Sequence, residues 1–249
     1  FLANHVTHLT GDSCPLRGTR WTPLYLSGAK SGSVGSLHDG VLSASRPSAV
    51  ATPSYPFIPS DALETDVHTI AVVAGTGLDQ AARYLPALTD LQLAAPTSLT
   101  YTTAPLTRPV IAVGPAAADI WLSSTAPATD LYLVVADVRP DGTAYPVGTG
   151  ALRTAYPDIV RSRSVVDAHG RIVDPYNVFA ARKVSRVGTM RRYQVEILPI
   201  GNRFATGDRI RLYVVGTPID QLASPPGLNT VRTGGLAASR LLLPTVRNR

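Results

Sequence analysis

Hydrophobic and polar residues alternate along several short stretches of the chain, with the period of a half-buried β-strand. Residues 193–197 (YQVEI) place tyrosine, valine and isoleucine on one face, and residues 210–214 (IRLYV) repeat this pattern. We predict a strand at each stretch, with one face in the core and the other in solvent. Thr206, Gly207 and Asp208 supply a turn just before the second strand.

Residues 131–138 (LYLVVADV) are apolar on both faces and rich in β-branched side chains, which is typical of a central strand covered on both sides. Residues 139–143 (RPDGT) follow. Proline presets the first turn dihedral and glycine accepts a positive φ, so this segment predicts a hairpin into residues 144–152.

Further short strands are predicted elsewhere, at residues 22–27, 41–45, 110–113, 120–124 and 240–243. The four prolines of residues 47–59 indicate an extended loop, and residues 70–74 are an apolar run of undecided type. One helix is predicted at residues 78–88, since Leu78, Ala81, Ala82 and Leu85 share a face there. Short strands separated by frequent turn signals predict an all-β fold, a β-sandwich with long loops and at most one or two short helices.

The chain has 249 residues, 45% of them hydrophobic and 16% charged, which is compatible with a packed core. We predict a linker or tail over residues 1–20 and a single sandwich domain over residues 21–249. No stretch approaches the ~20 apolar residues of a membrane-spanning helix, so no membrane span is expected. The lone cysteine, Cys14, excludes a disulfide within the chain.

The net charge of +6 is unevenly distributed, because residues 153–192 alone hold nine basic and three acidic side chains. Such a segment binds nucleic acid or anionic surfaces, or it is a solvated or inter-domain loop. We favour the loop and expect no specific nucleic acid partner, since no stacking aromatics are interleaved with the arginines. Few lysines and glutamates would suit an exported protein. The first residues lack the pattern of a signal peptide, so the chain is expected to be processed or part of something longer.

Candidate nucleophiles are few. The G-x-S-x-G elbow of α/β-hydrolases is absent. Ser33 in Gly32-Ser33-Val34-Gly35 has the wrong register and is interpreted as a loop residue. Ser13 follows Gly11-Asp12, but no apolar strand precedes it to hold the serine rigid.

Candidate metal ligands and imidazoles have simpler explanations. His5 and His8, with Asp12 nearby, have ligand-like spacing but are expected in a frayed terminus. Turn formation accounts for Asp137 and Asp141, which otherwise could hold calcium. His38-Asp39-Gly40 and Asp167-Ala168-His169-Gly170 are each interpreted as a tight turn, and His68 beside Asp66 as a hydrogen-bonded structural histidine. Gly75-Thr76-Gly77 lacks the third glycine of a dinucleotide fingerprint. We therefore predict no catalytic residue, metal site or cofactor.

Two tryptophans complete the candidates. Trp121 lies between Ile120 and Leu122 and is predicted to be a core or inter-sheet aromatic. Trp21 is a candidate for contact with a partner.

Six segments, in this order, resemble one family. They are residues 21–26 (WTPLYL) with the Asp39-Gly40-x-Leu42 turn; residues 99–106 (LTYTTAPL); Val113-Gly114-Pro115 running into residues 120–124; residues 130–138 with Pro140-Asp141-Gly142; Phe204-x-x-Gly207-x-Arg209-Ile210-Arg211-Leu212; and residues 239–244 (SRLLLP). This pattern is similar to the C-terminal domain of the cocaine-esterase and X-Pro dipeptidyl-peptidase family. Residues 217–233 depart from it, and residues 153–192 are longer than usual.

The resemblance implies a jelly-roll sandwich of galactose-binding-like topology, attached to an α/β-hydrolase core that carries the catalytic triad. In that family the jelly roll packs on the core and helps to wall the active-site entrance. None of the triad positions fall within this sequence. The expected function is therefore a non-catalytic domain or subunit of a serine acyl-esterase or peptidase, with the hydrolase domain as partner and a homo-oligomer left open. The alternative is a stand-alone module that binds carbohydrate or protein.

Overall fold

The computed structural model describes residues 11–57, 91–215 and 225–246. These residues form thirteen strands, β1 to β13. In chain order they are Arg20–Lys30, His38–Ser43, Ser54–Phe57, Ser98–Thr102, Val110–Ser124, Asp130–Val138, Ala144–Arg153, Val165–Val166, Ile172–Asp174, Arg191–Phe204, Arg209–Val215, Gly227–Val231 and Arg240–Val246. Short 3₁₀ segments at Leu91–Thr97 and Arg161–Arg163 are the only helical turns among the described residues. The predicted all-β sandwich is confirmed.

Eleven strands form one hydrogen-bonded sheet in the order β3-β12-β5-β13-β1-β2-β4-β11-β6-β7, and β10 pairs with the other edge of β5. The neighbours pair antiparallel except β2 and β4, which are parallel. The sheet folds over itself into two layers, and β7 at one end of the order packs on β10. Strands β8 and β9 form a separate two-stranded sheet.

The main core lies between the two layers. It is built from alternate residues of the facing strands, among them Leu24, Leu26, Leu133, Val195 and Leu241. Each of these side chains removes apolar area from water, which is the dominant favourable term in folding. The alternation predicted for residues 193–197 is confirmed, because Tyr193, Val195 and Ile197 are buried there.

A second apolar cluster covers the outer face of β6 and β11. Val134, Ala136 and Val138 pack there with Tyr213 and with the 3₁₀ segment Leu91–Thr97. The prediction that residues 131–138 are covered on both sides is thus confirmed. The solvent-facing side predicted for residues 210–214 is wrong, since Arg211 and Tyr213 are both fully buried.

Strand β5 corrects another prediction. Residues 110–113 and 120–124 were expected to be separate strands, but they belong to one strand of 15 residues. Gly114 has φ +122°, and Pro115 supplies no backbone N–H. The partners absorb this irregularity: β10 shifts register between Ile197 and Ile200, and β13 shifts between Leu242 and Thr245.

The proline-rich loop predicted at residues 47–59 is also wrong in part. Its residues 54–57 form β3, which among the described strands pairs only with β12, and an isolated bridge joins Ala51 to Thr233. Pro56 is tolerated because β3 is an edge strand.

The predicted hairpin at residues 139–143 is confirmed: Arg139 N–H donates to Thr143 O at 2.9 Å, and Gly142 has φ +94°. The helix at residues 78–88 and the run at residues 70–74 lie outside the described residues.

Two glycines of β7 allow it to approach β10. A Cβ at Gly150 would lie 2.1 Å from the carbonyl oxygen of Glu196, and one at Gly148 would lie 2.8 Å from Cγ1 of Ile200. Neither glycine has a positive φ, so the requirement is space rather than backbone conformation. The two layers therefore meet backbone to backbone at this edge.

We expect Gly150→Ala to push β7 away from β10 and to lower the free energy of unfolding by about 1–3 kcal/mol, the usual cost of overpacking. Gly35→Ala is the matched control, because no atom lies within 4 Å of its added Cβ and its φ is not positive. Urea denaturation followed by circular dichroism measures both. Equal stability of Gly150→Ala and wild type would show that the two strands do not meet this closely.

Candidate functional site

Ser33, the serine closest to a hydrolase motif, lies in the loop between β1 and β2. Its hydroxyl is 2.6 Å from Ser31 Oγ and donates to Asp39 Oδ1 at 3.4 Å. The backbone N–H of Ser33 donates to Asp39 Oδ2 at 3.1 Å. No imidazole intervenes between the hydroxyl and the carboxylate in the described network, so this serine has no general base of the triad type.

His38 is adjacent to Asp39 in sequence but does not reach Ser33. Its ring lies 5.9 Å from the ring of Tyr101, and burial lowers the pKa of the imidazole. Its Nε2 is buried without a hydrogen-bond partner among the described residues. His38 thus packs as a neutral aromatic group. The tight turn predicted for His38-Asp39-Gly40 is wrong, because these residues begin strand β2.

The other predicted candidates do not assemble into a site. Ser13 Oγ donates to Pro15 O at 3.0 Å and is exposed. Asp167 accepts the backbone N–H groups of His169 and Arg171, each at 2.9 Å, which is turn chemistry. Candidates that lie outside the described residues are His5, His8, Asp66, His68 and Gly75 to Gly77.

Arg211 is a buried cation that sequence reasoning placed in solvent. Its side chain donates to Thr102 Oγ1 at 2.9 Å, to the Tyr213 hydroxyl at 3.0 Å and to Ser33 Oγ at 3.2 Å. Ser33 in turn bonds Asp39, so hydroxyl groups separate the guanidinium from the carboxylate. These contacts tie the loop between β1 and β2 to β4 and β11, so Ser33 has a structural role.

A second buried charge cluster crosses three adjacent strands of the other layer. Asp119 on β5 is 3% exposed and accepts Arg192 Nη2 of β10 and Arg240 Nε of β13, each at 2.7 Å. Ala118 and Ile120 point into the core, so Asp119 faces outward with Trp121. Hydrogen bonds to charged groups are among the stronger ones in proteins, and this carboxylate fixes both neighbours of β5.

Trp121 therefore does not lie in the core between the two layers, so the core placement predicted for it is wrong. It lies half-buried on the outer face of β5, in register with Arg192, and its backbone oxygen accepts the N–H of Arg232. Trp21 bonds within the chain: its Nε1 donates to Pro115 O at 2.9 Å, and its own carbonyl accepts Arg171 Nη2 at 2.7 Å.

A third polar cluster lies where β6, β10 and β11 meet. Asp137 is fully buried and its Oδ2 accepts Asn202 Nδ2 at 3.1 Å. The Asp208 carboxyl hydrogen-bonds Asp137 and also accepts Ala205 N–H at 2.7 Å. Burial raises the pKa of Asp137 to about 6, and the Asp208 charge adds to this while Asn202 and Arg139 oppose it.

The calcium pair considered from the sequence does not form. Asp141 is exposed and accepts the backbone N–H of Thr143 at 2.9 Å, as a turn residue, whereas Asp137 points to Asn202 and Asp208. Within residues 11–57, 91–215 and 225–246, no three His, Cys, Asp or Glu side chains converge as metal ligands. The same part of the chain contains no helix long and apolar enough to cross a bilayer.

The basic segment 153–192 is only partly a solvated loop. Ile172 and Val173 of β9 are buried, β9 packs on β5, and Asn177 Nδ2 donates to the Gln194 carbonyl at 3.3 Å. Several of its cations form ion pairs; these are Arg153 with Asp130, Arg171 with Asp167, Lys183 with Asp158, and Arg192 with Asp119. Part of residues 154–178 therefore packs on this chain's own outer face, whereas most of residues 179–190 are exposed.

Comparison with known proteins agrees with this geometry. Residues 4–243 match the family model of the X-Pro dipeptidyl-peptidase C-terminal non-catalytic domain, and the chain belongs to that family. Cocaine esterase of Rhodococcus sp. (strain MB1 Bresler) is 27% identical over 200 residues, which are 80% of this chain and 30% of that protein. A putative serine esterase of Mycobacterium bovis is 30% identical over 154 residues, covering 60% of this chain and 24% of that protein. The resemblance expected from the six segments is confirmed.

The solved structures agree in fold. A CocE/NonD family hydrolase of Staphylococcus aureus has a TM-score of 0.70 at 16% identity, over 96% of this chain and 38% of that chain. The chain thus spans between a quarter and two fifths of the proteins that it resembles. The chain is therefore a member of a family of non-catalytic C-terminal domains.

The buried carboxyl Asp137 gives a pH prediction. The unfolded chain releases this proton near the ordinary pKa of 3.8 and the folded chain near 6, so folding stability should fall as the pH rises between these values. We expect Asp137→Asn to remove about 1–3 kcal/mol of this fall, since one pKa unit corresponds to ~1.4 kcal/mol.

Thermal and urea unfolding of wild type and Asp137→Asn between pH 4 and 8 measure the difference. His38, Asp174 and Glu196 titrate in both proteins, so their contributions to the pH dependence cancel in the difference between the two free energies of unfolding. Asp141→Asn, in the exposed turn nearby, should retain the fall between pH 4 and 6. A difference between wild type and Asp137→Asn that does not change with pH would contradict the assignment.

Proposed function

We propose that this chain is the non-catalytic β-sandwich of a serine acyl-esterase or X-Pro peptidase-like hydrolase, and that it packs on the α/β-hydrolase core and shapes the entrance to its active site. The observation that carries the proposal is the family match over nearly the whole chain. The relatives provide the context, since more than half of each lies outside the part that matches this chain. The absence of a nucleophile bonded to a base among the described residues is consistent with chemistry performed by another domain.

The alternative, a stand-alone carbohydrate-binding module, has less support. Sugar-binding platforms need exposed aromatic faces. In the described residues the exposed aromatic rings already have partners: Arg163 lies 3.8 Å above Tyr176, Arg139 lies 5.7 Å from Tyr145, and Phe179 meets the Tyr156 ring edge-on at 5.7 Å. These contacts cover part of each ring, and Phe179, at 62%, keeps the largest exposed aromatic surface of the three.

The test compares the complete hydrolase with a version that lacks residues 21–249. A series of p-nitrophenyl esters of increasing acyl length serves as substrate. Loss of the sandwich domain at the active-site entrance should raise KM for the longer esters by about tenfold, equivalent to ~1.4 kcal/mol of substrate binding. The effect on the acetate ester should be smaller.

Active-site titration of both proteins with a fluorophosphonate gives the concentration of folded, competent enzyme, so misfolding of the shortened protein does not enter KM. Equal KM values across the series would contradict the role at the entrance. Hydrolysis of the esters by the 249-residue chain alone would contradict the non-catalytic assignment.

A further inference from the structure

Leu236 is the most exposed large apolar side chain among the described residues, at 94%. It follows Gly234 and Gly235, which have φ of +69° and +64° and form a tight turn. A Cβ at Gly234 would lie 1.8 Å from the Ala49 carbonyl oxygen, so the turn lies directly on residues 47–51. Gly235 N–H donates to Pro47 O at 2.8 Å, and Thr233 pairs with Ala51. Leu236 therefore projects into solvent from a turn that is held in place.

Two kinds of side chain surround this turn. Val50 is half exposed, and its Cγ2 would lie 2.8 Å from a Cβ at Gly235; Arg232 Nη2 would lie 3.9 Å from the same point. Arg46, in the segment beneath, is exposed and lies 5.3 Å above the Tyr25 ring. We call Arg46, Val50, Arg232 and Leu236 the Arg–Leu surface.

The Arg–Leu surface lacks acidic groups in its own segments. Residues 40–57 and 225–246 contain three arginines and no aspartate or glutamate. The carboxylate on this side of the sheet, Asp119, is already bound by Arg192 and Arg240. The Nε of Arg232 is buried and has no hydrogen-bond partner among the described residues. Because that atom is shielded from solvent, only the remaining exposed part of the half-buried Arg232 side chain can meet an acceptor on a partner.

We infer that the Arg–Leu surface is the docking face for the catalytic α/β-hydrolase domain, which presents an apolar pocket to Leu236 and Val50 and carboxylates to Arg46 and Arg232. This inference rests on the proposed function. Because the turn is already ordered by its hydrogen bonds to residues 47–51, docking on it costs little backbone entropy. Arginine is one of the residues enriched at interface hot spots.

Residues 176–187 are the competing surface, since Phe179, Val184 and Val187 are exposed there. Their aromatic groups already stack within the chain, on Tyr156 and Arg163, and Lys183 pairs with Asp158. These contacts involve only the aromatic rings and Lys183, so the exposed Val184 and Val187 make residues 176–187 the surface from which the test below must distinguish the Arg–Leu surface.

The test uses Leu236→Asp and Arg46→Glu in the complete hydrolase and in the 249-residue chain. Leu198→Asp and Arg17→Glu are matched controls. Leu198 is about half exposed on β10, beside residues 114–116 of β5, whereas Arg232 lies beside Trp121. Arg17 is exposed before β1. Scanning calorimetry reports the transition of the sandwich in each protein. We expect docking to raise this transition in wild type and in both controls. In Leu236→Asp it should return to the value of the isolated chain that carries the same substitution.

Hydrogen exchange of wild type locates the interface independently. Residues 45–51 and 232–238 should exchange at least tenfold more slowly in the complete hydrolase than in the 249-residue chain, while residues 195–200 should not change. Protection only at residues 176–187, or equal effects of Leu236→Asp and Leu198→Asp, would overturn the surface assignment and leave the proposed function intact. No protection anywhere in the sandwich would overturn both. A dimer of the isolated chain that Leu236→Asp dissociates would assign this surface to a second copy instead.

Discussion

The uninterrupted strand β5 is the constraint on which the rest of the architecture depends. Its 15 residues pair with β10 on one edge and with β12 and β13 on the other, so three other strands take their register from it. Its inner face carries small and apolar residues, Ala116, Ala118, Ile120 and Leu122, which fill the space between the layers. Its outer face carries Asp119, which bonds an arginine on each neighbouring strand. One strand thus sets the register, the core and the charge pattern of its layer.

Local chemistry made much of this fold predictable. The RPDGT turn and the alternation of residues 193–197 are determined by neighbouring residues, and both appear as expected. The errors arose where contacts with segments distant in sequence determine whether a strand face is buried or a strand continues. Residues 210–214 look half-polar, but the segment Leu91–Thr97 and the loop that holds Ser33 and Val34 cover their second face. Gly114-Pro115 looks like a strand break, but register shifts in β10 and β13 accommodate it.

The same distinction applies to the candidate site. That Ser33 lacks the motif of a nucleophile was readable from the sequence, but its bond to the buried Arg211 was not, because 178 residues separate the two. Trp121 was misplaced because its apolar neighbours in sequence suggested a core position. Successive residues of a strand face opposite sides, so Trp121 lies on the face opposite to Ile120. The exposed Leu236 had one signal in the sequence, since two consecutive glycines before an isolated leucine indicate a tight turn that presents it.

The central claim is that these residues build a scaffold and that the proposed chemistry belongs to a partner domain. A fluorophosphonate probe applied to the complete hydrolase tests it most directly, because the probe reacts covalently only with an activated serine, and peptide mass spectrometry then identifies that serine. The account predicts one modified serine, located in the α/β-hydrolase domain, and none among the 249 residues of this chain. Stoichiometric modification of Ser33, Ser13 or any other serine of this chain would contradict it.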